Sequence, residues 1–356
     1  MTSHAVDDLK SKLGGFPRKS LASLPTPLQK LERLGADLGG PNLFIKRDDL
    51  TGMGFGGNKS RKLEYIIADA LNRKADTVIT WGSLQSNWCF QTAAAARMFG
   101  LEPVLVLFKT YDLPEEPDGN LLLDFLLGAD VRIRSAQKGK VIDPDQVRSY
   151  LENAAAQLRD KGRRPYLVSV GGSAVFGTMD RPLGALSYVQ AMVELYEQAA
   201  ARGIRIDAVV HATGSGGTQA GLSLAAKALD PHLKVVGISV SDEKESFSKI
   251  VLDIGRQAEA ALGLSLGFGP QDIIVLDDYL QDGYGAITPD VSRTVRTVLQ
   301  REGIALDPVY TVKAMMGLMD LVVRGYFRKD ENVVFWHTGG TPALFPFGRA
   351  LLKNLG

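Results

Sequence analysis

The chain has 356 residues, of which 45% are hydrophobic and 23% charged, and its formal net charge is +1. This near balance of acids and bases gives no electrostatic reason for binding nucleic acid or an anionic membrane. Cys89 is the only cysteine, which excludes an intrachain disulfide and a cysteine-based zinc site, and we expect no metal. Because no signal peptide and no transmembrane run is visible, we expect a cytoplasmic protein.

Short apolar runs typical of β-strands alternate with longer helical patterns along the chain. The predicted strands are 43–47, 77–81, 103–108, 131–133, 166–170, 208–212, 235–240, 273–276 and 333–337. The predicted helices are 58–72, 91–99, 144–160, 184–201, 219–228 and 289–300. Several strands are continuous apolar runs, as in parallel sheets covered on both faces, so the pattern predicts an α/β fold. No linker separates two halves, so we expect interleaved domains.

The start of the first predicted helix combines two glycines, Asn58 and Lys59. Asparagine is among the best N-cap residues, so we predict that Asn58 caps this helix. Lys59 then falls in the first turn, where the helix dipole disfavours a cation. This position predicts a lowered pKa, which suits a lysine that must be uncharged to attack a carbonyl. Lys62, one turn later, is the alternative lysine, but we expect a salt bridge there.

Glycine-rich turns follow four of the predicted strands, and ligands of open α/β sheets bind at such turns. The turns span 82–87, 171–173, 213–218 and 338–342. In the first of them, Ser86 and Asn87 precede a predicted helix, where they could cap it or contact an anion. Cys89 lies nearby without a histidine or other base beside it, and we predict a small buried residue.

The turn after the strand 208–212 is predicted to bind a phosphate, because glycines, hydroxyls and a helix N-terminus occur together there. The predicted contacts are Gly214, Ser215, Gly216, Gly217 and Thr218. Gln219 stands where a dinucleotide fingerprint needs glycine, and no Walker A lysine follows. A plain glycine-rich turn is the alternative. A lone phosphate site with a lysine suited to capture an aldehyde points to pyridoxal 5′-phosphate.

Further motifs extend this pattern over almost the whole length. They are Pro-Thr-Pro-Leu at 25–28, Ile-Lys-Arg-Asp-Asp at 45–49, the stretches 56–65, 284–285 and 307–314, and His-Thr-Gly-Gly-Thr-Pro-Ala-Leu at 337–344. With them the chain resembles the D-cysteine desulfhydrase and 1-aminocyclopropane-1-carboxylate deaminase family of fold-type II pyridoxal-phosphate enzymes. The resemblance implies a tryptophan synthase β-like fold with two interleaved three-layer domains, and a homodimer. We place the larger, cofactor-binding domain at 1–56 plus 170–356 and the smaller one at 57–169.

The resemblance also implies a role for each matching residue. Lys59 would form the Schiff base with the cofactor and later act as the base. The other implied cofactor contacts are Asn58, Asn87 at the pyridoxal 3′-oxygen, the loop 214–218 and Thr311 at the pyridine nitrogen. The implied catalytic set is Lys59, Ser86, Tyr284 and Tyr310, with Ser86 and Asn87 gripping the substrate carboxylate. For Thr311, a helix cap is the alternative.

Two positions bear on the substrate, which we expect to be a small amino acid. Thr311 offers a hydroxyl where the cyclopropane-opening deaminases carry an acid, so β-elimination of a D-cysteine-like substrate is favoured over ring opening. Trp88 stands where the family usually has His or Gln, and we expect it to bind substrate and reshape the pocket. Aminocyclopropane carboxylate, cysteate or a hydroxy amino acid are alternative substrates. A nicotinamide-dependent Rossmann oxidoreductase and a non-catalytic binding protein are the alternatives from other classes.

Overall fold

The computed structural model describes residues 3–110, 116–136 and 144–355. The strands are β1 (Leu28–Lys30), β2 (Asn42–Arg47), β3 (Thr77–Ser83), β4 (Glu102–Lys109), β5 (Asp130–Ser135), β6 (Pro165–Leu167), β7 (Ala208–Thr213), β8 (Lys234–Ser239), β9 (Ile274–Leu276) and β10 (Asn332–His337). The helices are α1 (Ser3–Gly14), α2 (Glu32–Leu38), α3 (Asn58–Asn72), α4 (Asn87–Met98), α5 (Gly119–Leu126), α6 (Pro144–Arg159), α7 (Leu183–Ala201), α8 (Gly217–Leu229), α9 (Lys244–Ala261), α10 (Pro289–Glu302), α11 (Thr311–Val323) and α12 (Gly348–Lys353).

Two sheets organise the fold. The six-stranded sheet has the order β1-β2-β10-β7-β8-β9, with only β1 antiparallel to its neighbour. The four-stranded sheet has the order β5-β4-β3-β6 and is parallel throughout. The predicted α/β fold with mostly parallel sheets is therefore confirmed. The division into two domains at 57–169 stays a prediction.

Both faces of the six-stranded sheet are covered by apolar side chains. Along β10, Val334 and Trp336 belong to one hydrophobic core, whereas Val333 and Phe335 belong to another. Successive side chains of a strand point to opposite faces, so the two cores lie on opposite sides of the sheet. This explains why the central strands read as continuous apolar runs rather than alternating ones.

Several element boundaries differ from the sequence predictions. Helix α4 begins at Asn87 rather than at 91, because Ser86 accepts a hydrogen bond from the Cys89 N–H and caps it. Helix α8 begins at Gly217 rather than at 219. Strand β6 ends at Leu167, before a 3₁₀ turn at 170–172, and the three-residue β1 was not predicted. No helix in the described ranges is both long and apolar enough to cross a membrane.

A buried ion cluster fixes α3 on the large sheet. Arg61 donates from Nε and Nη2 to Asp48 at 3.0 and 2.9 Å, and from Nη1 and Nη2 to Glu194 at 2.9 and 2.8 Å. Lys46 Nζ donates to Glu194 at 2.5 Å. The side chains of Arg61 and Asp48 are 3% and 0% exposed. The cluster joins β2, α3 and α7, so it sets the position of the helix that carries Lys59.

Candidate active site

Lys59 is the second residue of α3, and its Nζ donates to Asn58 Oδ1 over 2.8 Å. Burial lowers the pKa of Lys59 to about 8, against the opposing attraction of the Asp307 carboxylate. The lowered pKa expected from the sequence is confirmed, but its cause is burial rather than the helix end. A lysine with this pKa is uncharged in about a tenth of the molecules at pH 7, far more than an ordinary lysine, and can act as a nucleophile.

Asn58 does not cap α3, so that prediction is wrong. Gly57 occupies the N-cap position with φ 130°, and no side chain of the described part of the chain caps the helix. Asn58 is instead the first helical residue: its N–H donates to Thr338 O at 2.9 Å and its Nδ2 to Thr218 Oγ1 at 3.2 Å. It thereby connects Lys59 to the turn after β10 and to the start of α8.

The turn 214–216 joins the carboxyl end of β7 to the N-terminus of α8. Gly216 adopts φ 82°, a conformation that favours glycine. The Ala220 N–H donates to Gly216 O at 2.9 Å, so the N–H groups of Gly217 and Thr218 precede this bond and point out of the helix end. Backbone donors at a helix N-terminus form an anion-binding site that suits a phosphate.

A second loop, 171–173, packs against this helix end. The hydroxyls of Ser173 and Ser215 are hydrogen-bonded at 2.9 Å, and a Cβ on Gly217 would lie 2.6 Å from Ser173 Oγ. Only glycine allows this approach. Within the described residues, the buried Thr213 Oγ1 has no hydrogen-bond partner. The closely spaced hydroxyls, the free helix end and this unpaired hydroxyl fit a bound phosphate.

The N-terminus of α4 is a second helix end of the same kind. Ser86 Oγ accepts from the Cys89 N–H at 3.1 Å, and Ser86 O accepts from the Phe90 N–H at 3.1 Å. The N–H groups of Asn87 and Trp88 precede these bonds and remain available to an anion. Ser86 therefore caps its helix while the same end can hold a carboxylate.

The helix α4 faces Lys59 through Gln91. Gln91 Nε2 donates to Gly56 O at 2.6 Å, and its Oε1 accepts from Ser60 Oγ at 3.3 Å. Asn87 lies four residues before Gln91, so the two side chains share one face of the helix. Asn87 is thus on the side of α4 that faces the start of α3.

Two tyrosines from distant segments meet beside the phosphate loop. The hydroxyls of Tyr284 and Tyr310 are hydrogen-bonded to each other, and Tyr284 OH also lies 3.3 Å from Ser83 Oγ at the end of β3. A Cβ on Gly214 would lie 3.6 Å from Tyr310 Cε1. Burial, followed by the neighbouring Tyr310, raises the pKa of Tyr284 well above its ordinary value. This hydroxyl therefore stays protonated at neutral pH.

Thr311 is fully buried at the start of α11 and is bound to Asp307. Its Oγ1 donates to Asp307 Oδ1 at 2.7 Å, and its N–H donates to the same oxygen at 2.8 Å. The other oxygen of Asp307 accepts the N–H groups of Val309 and Tyr310, both at 2.9 Å. Asp307, rather than Thr311, therefore accepts the N–H groups at the start of α11, so the helix-capping alternative for Thr311 is wrong, and contact with a pyridine nitrogen stays a prediction.

Trp88 lies in the core, with 3% of its surface exposed. Its Nε1–H, the only donor of the indole, is bound to Thr80 Oγ1 at 2.7 Å. A Cβ on Gly172 would lie 3.0 Å from the indole ring. The indole donor is thus occupied, and the ring is packed against Gly172. The structure gives no support to direct substrate contact by Trp88, which stays a prediction.

Two other residues near the site have structural roles. Lys62 is buried, and its Nζ donates to Gly171 O at 3.0 Å; it forms no salt bridge within residues 3–110, 116–136 and 144–355, so the predicted salt bridge is wrong. A salt bridge does not form because Lys62 points into the core behind the loop 171–173. Cys89 is buried, as predicted, and burial followed by the nearby Asp124 raises the pKa of its thiol well above the ordinary value.

Two residues of the site, Asn120 and Lys313, were not identified from the sequence, and Ser173 was predicted only as part of the turn 171–173, without a role of its own. Lys313 Nζ donates to the carbonyl oxygens of Val240, Leu280 and Gly283 at 3.2, 2.8 and 2.9 Å. It thereby holds the segment that leads to Tyr284. A single lysine in the apolar sequence of α11 was a visible signal for a buried role. Asn120 gave no such signal.

Comparison with known proteins identifies the class. The family model for "Pyridoxal-phosphate dependent enzyme" matches residues 19–339, and the chain belongs to this family. It is 41% identical over 350 residues to a Pyrococcus abyssi protein named "Putative 1-aminocyclopropane-1-carboxylate deaminase", with 98% of each chain covered. It is 42% identical over 346 residues to D-cysteine desulfhydrase of Serratia proteamaculans, with 96% of this chain and 98% of the relative covered.

A solved structure gives the same assignment. The crystal structure of an ACC deaminase homologue matches with a TM-score of 0.87 and 38% identity, covering 99% of this chain and 100% of that chain. The predicted family, fold and cofactor are therefore confirmed. The phosphate-type cradle at α8 and the partly neutral Lys59 both fit pyridoxal 5′-phosphate.

Proposed function

We propose that the chain is a lyase that removes the β-substituent of a small amino acid, as a D-cysteine desulfhydrase does. The products would be a 2-keto acid, ammonia and a leaving group such as sulfide. The observation that carries the proposal is the position of Lys59, whose pKa is about 8: Asn58 connects it to Thr218 at the start of α8, and Gln91 of α4 bonds to Gly56 and Ser60 on either side of it. The N-terminus of α8 suits the cofactor phosphate and that of α4 suits the carboxylate of the substrate.

Residues from three segments would hold the cofactor. The N-terminus of α8, with Ser215 and Thr218, would bind the phosphate, and Lys59 would attach to the aldehyde. Asn58 would keep Lys59 aligned with the phosphate loop, since it is bonded to both Lys59 Nζ and Thr218 Oγ1. Asn87 would donate to the ring 3′-oxygen. Bound pyridoxal phosphate supplies an aldehyde that captures amines and a ring that withdraws electrons from Cα.

The N-terminus of α4 would orient the substrate. Its free N–H groups and the Ser86 cap form a positive end for the carboxylate. Binding the carboxylate there fixes the amino acid with its α-hydrogen and its β-substituent in defined directions. Ser86 and Asn87 are both supplied by the turn after β3, so one rigid element would contact substrate and cofactor together.

Lys59, once released by the substrate amine, would remove the α-proton. A base with a pKa near the working pH is the most effective in such a step. The Cβ–substituent bond would then break, and the hydroxyls of Tyr310 and Tyr284 would give the departing group a proton, relayed with Ser83. Lys59 would then take back its place on the cofactor and release the enamine, which water would convert to the 2-keto acid and ammonia. The raised pKa of Tyr284 keeps its hydroxyl protonated at neutral pH.

Elimination is favoured over cyclopropane opening by the start of α11. Thr311 and Asp307 are bonded to each other, and the Asp307 carboxylate also accepts two further N–H groups. Neither residue offers an unengaged acid to protonate a ring nitrogen. A good leaving group on Cβ needs less electron withdrawal than an unactivated ring. The second candidate is 1-aminocyclopropane-1-carboxylate deamination, supported by the name of the Pyrococcus abyssi relative.

A homodimer in the cytoplasm completes the proposal. The outer face of α5 exposes Leu122, Phe125 and Leu126 at 40, 45 and 73%, and Phe345 in the adjoining segment is 62% exposed. Exposed apolar side chains that cluster on one surface suit burial against a second copy of the chain. Size-exclusion chromatography with light scattering tests the state: a mass of one chain at micromolar concentration would remove the homodimer from the proposal.

A substrate panel tests the reaction. The holoenzyme is given D-cysteine, L-cysteine, cysteate, D-serine and 1-aminocyclopropane-1-carboxylate, and keto acid and released group are both measured. We expect keto acid and sulfide from D-cysteine in equal amounts. Ser86→Ala is expected to raise KM, with Ser246→Ala, which lies outside the site on α9, as the matched control. Keto acid from the cyclopropane alone would instead establish the second candidate.

A further inference from the structure

The start of α5 contacts the turn that carries Asn87. Asn120 is fully buried, and its Nδ2 donates to Gln85 O at 3.0 Å and to Asn87 Oδ1 at 2.8 Å. Its backbone N–H donates to Gln85 Oε1 at 2.8 Å, and Gln85 Nε2 donates to Asp118 O at 2.9 Å. Three side-chain amides are therefore linked in one network.

The directions of these bonds are fixed by backbone carbonyls. A carbonyl oxygen can only accept, so the contact with Gln85 O requires that Asn120 present its NH2 group there. The same NH2 group faces Asn87, so Asn87 must present its oxygen in return. A reversed Asn120 amide would place its oxygen against both acceptors. Among the residues that the structure describes, the buried Asn120 Oδ1 has no partner, so the NH2 end alone makes the bonds there.

The orientation of Asn87 follows from this. With its Oδ1 turned to Asn120, its NH2 group points to the opposite side. Across residues 3–110, 116–136 and 144–355, no acceptor is bound to Asn87 Nδ2. Asn87 lies on the face of α4 that also carries Gln91, and Gln91 bonds to Gly56 and Ser60 on either side of Lys59.

We propose that Asn120 is a positioning residue that fixes the Asn87 amide, so that its NH2 group is presented as a donor toward the cofactor site at Lys59. This inference rests on the proposed function, in which Asn87 donates to the ring 3′-oxygen. Asn120 itself touches neither cofactor nor substrate. It acts by excluding the other orientation of the Asn87 amide. In that orientation Asn87 would present its Oδ1 to the negatively charged ring 3′-oxygen.

Asn120 is held in position by segments that follow strands of both sheets. Gly119 adopts φ 55°, and a Cβ there would lie 2.7 Å from both Gln85 Oε1 and Pro342 O. The start of α5 is thus packed between the turn after β3 and the turn after β10. Correct packing of these two turns is therefore needed for the Asn120 amide to reach Asn87.

The test is a double-mutant cycle of Asn120→Asp and Asn87→Ala, read by titration of the apoprotein with pyridoxal 5′-phosphate and by the absorption spectrum of the bound cofactor. Asn120→Asp keeps the shape but replaces the donor by an acceptor, so Asn87 is expected to turn its NH2 group back. We expect Asn120→Asp to weaken cofactor affinity about tenfold and to shift the spectrum. We expect no additional effect when Asn87 is already alanine.

The controls separate the possible failures. Asn153→Asp, an exposed position on α6, is expected to change neither readout. If Asn120→Asp does not fold, Asn120→Ala enters the same cycle. Weakened binding by Asn87→Ala with no effect of Asn120→Asp, or additive effects of the two, would overturn the positioning role alone. If Asn87→Ala changes nothing, the proposed role of Asn87 fails and the positioning role fails with it.

Discussion

Replacing Arg61 by methionine tests how the fold holds the helix that carries Lys59. The buried cluster contains two cations, Lys46 and Arg61, and two carboxylates, Asp48 and Glu194, so its charges balance. Arg61→Met removes four hydrogen bonds to the carboxylates and leaves one excess negative charge with almost no solvent contact. Breaking a buried ion pair from one side costs about 3–5 kcal/mol of the free energy of unfolding.

The assay is urea unfolding followed by tryptophan fluorescence. We expect the midpoint to fall while the dependence on urea concentration is unchanged, which indicates lost stability rather than a changed unfolded state. Arg61→Lys keeps the charge but not the two-pronged geometry, so its loss is expected to be smaller. The matched control is Arg73→Met, whose side chain is 35% exposed in its pairs with Asp69 and Asp180. Its expected loss is about 1 kcal/mol or less.

Acid titration gives a second readout of the same variant. Arg61 lies beside Asp48 and Glu194 and, against the effect of burial, the pKa of each carboxyl is lowered in the folded protein. Groups with a lowered folded pKa add stability above their unfolded pKa of about 4, and this stability is lost as the pH falls through the folded pKa. Arg61→Met is therefore expected to lose less stability on acidification than the unsubstituted protein. Equal losses for Arg61→Met and Arg73→Met at neutral pH would refute the reasoning.

Three further predictions concern the site. The rate of cofactor attachment to the apoprotein is expected to rise with pH and level off above about 8, because Lys59 must be uncharged; a rate still rising steeply at pH 9.5 contradicts this. Gly217→Ala is expected to weaken cofactor affinity at least about tenfold, since its Cβ would lie 2.6 Å from Ser173 Oγ. Gly348→Ala, whose Cβ would have no atom within 4 Å, serves as the unaffected control. Trp88→Phe loses the bond to Thr80 and is expected to lower the free energy of unfolding by about 1 kcal/mol with KM unchanged; a changed KM at unchanged stability would show substrate contact instead.

The sequence predicted the frame of this molecule because its signals are local. Helix α3 was predicted with the bounds that the structure has, since its apolar spacing begins directly after two glycines. The turns after β3, β7 and β10 were recognised because glycine is needed where the backbone turns sharply or approaches another segment. Strand β1 was missed because it has three residues, of which only Leu28 is buried.

The contacts between distant segments could not be predicted in the same way. The Asn120 amide meets Asn87 across 33 residues, and Ser173 meets Ser215 across 42. Asn58 looked like a cap because its local sequence allows one, yet its side chain reaches Thr218, which is 160 residues away. Thr311 and Trp88 were assigned by position in a motif, whereas their hydroxyl and indole N–H bond to Asp307 and Thr80.

The central claim is that Lys59 carries the cofactor. Borohydride reduction of the holoenzyme, followed by protease digestion and mass spectrometry, tests it directly, because reduction fixes the cofactor to the lysine that holds it. We predict a single modified peptide with the label on Lys59, and no label in Lys59→Ala. Label on Lys62, whose Nζ is bonded to Gly171 O, or label retained in Lys59→Ala would contradict the account.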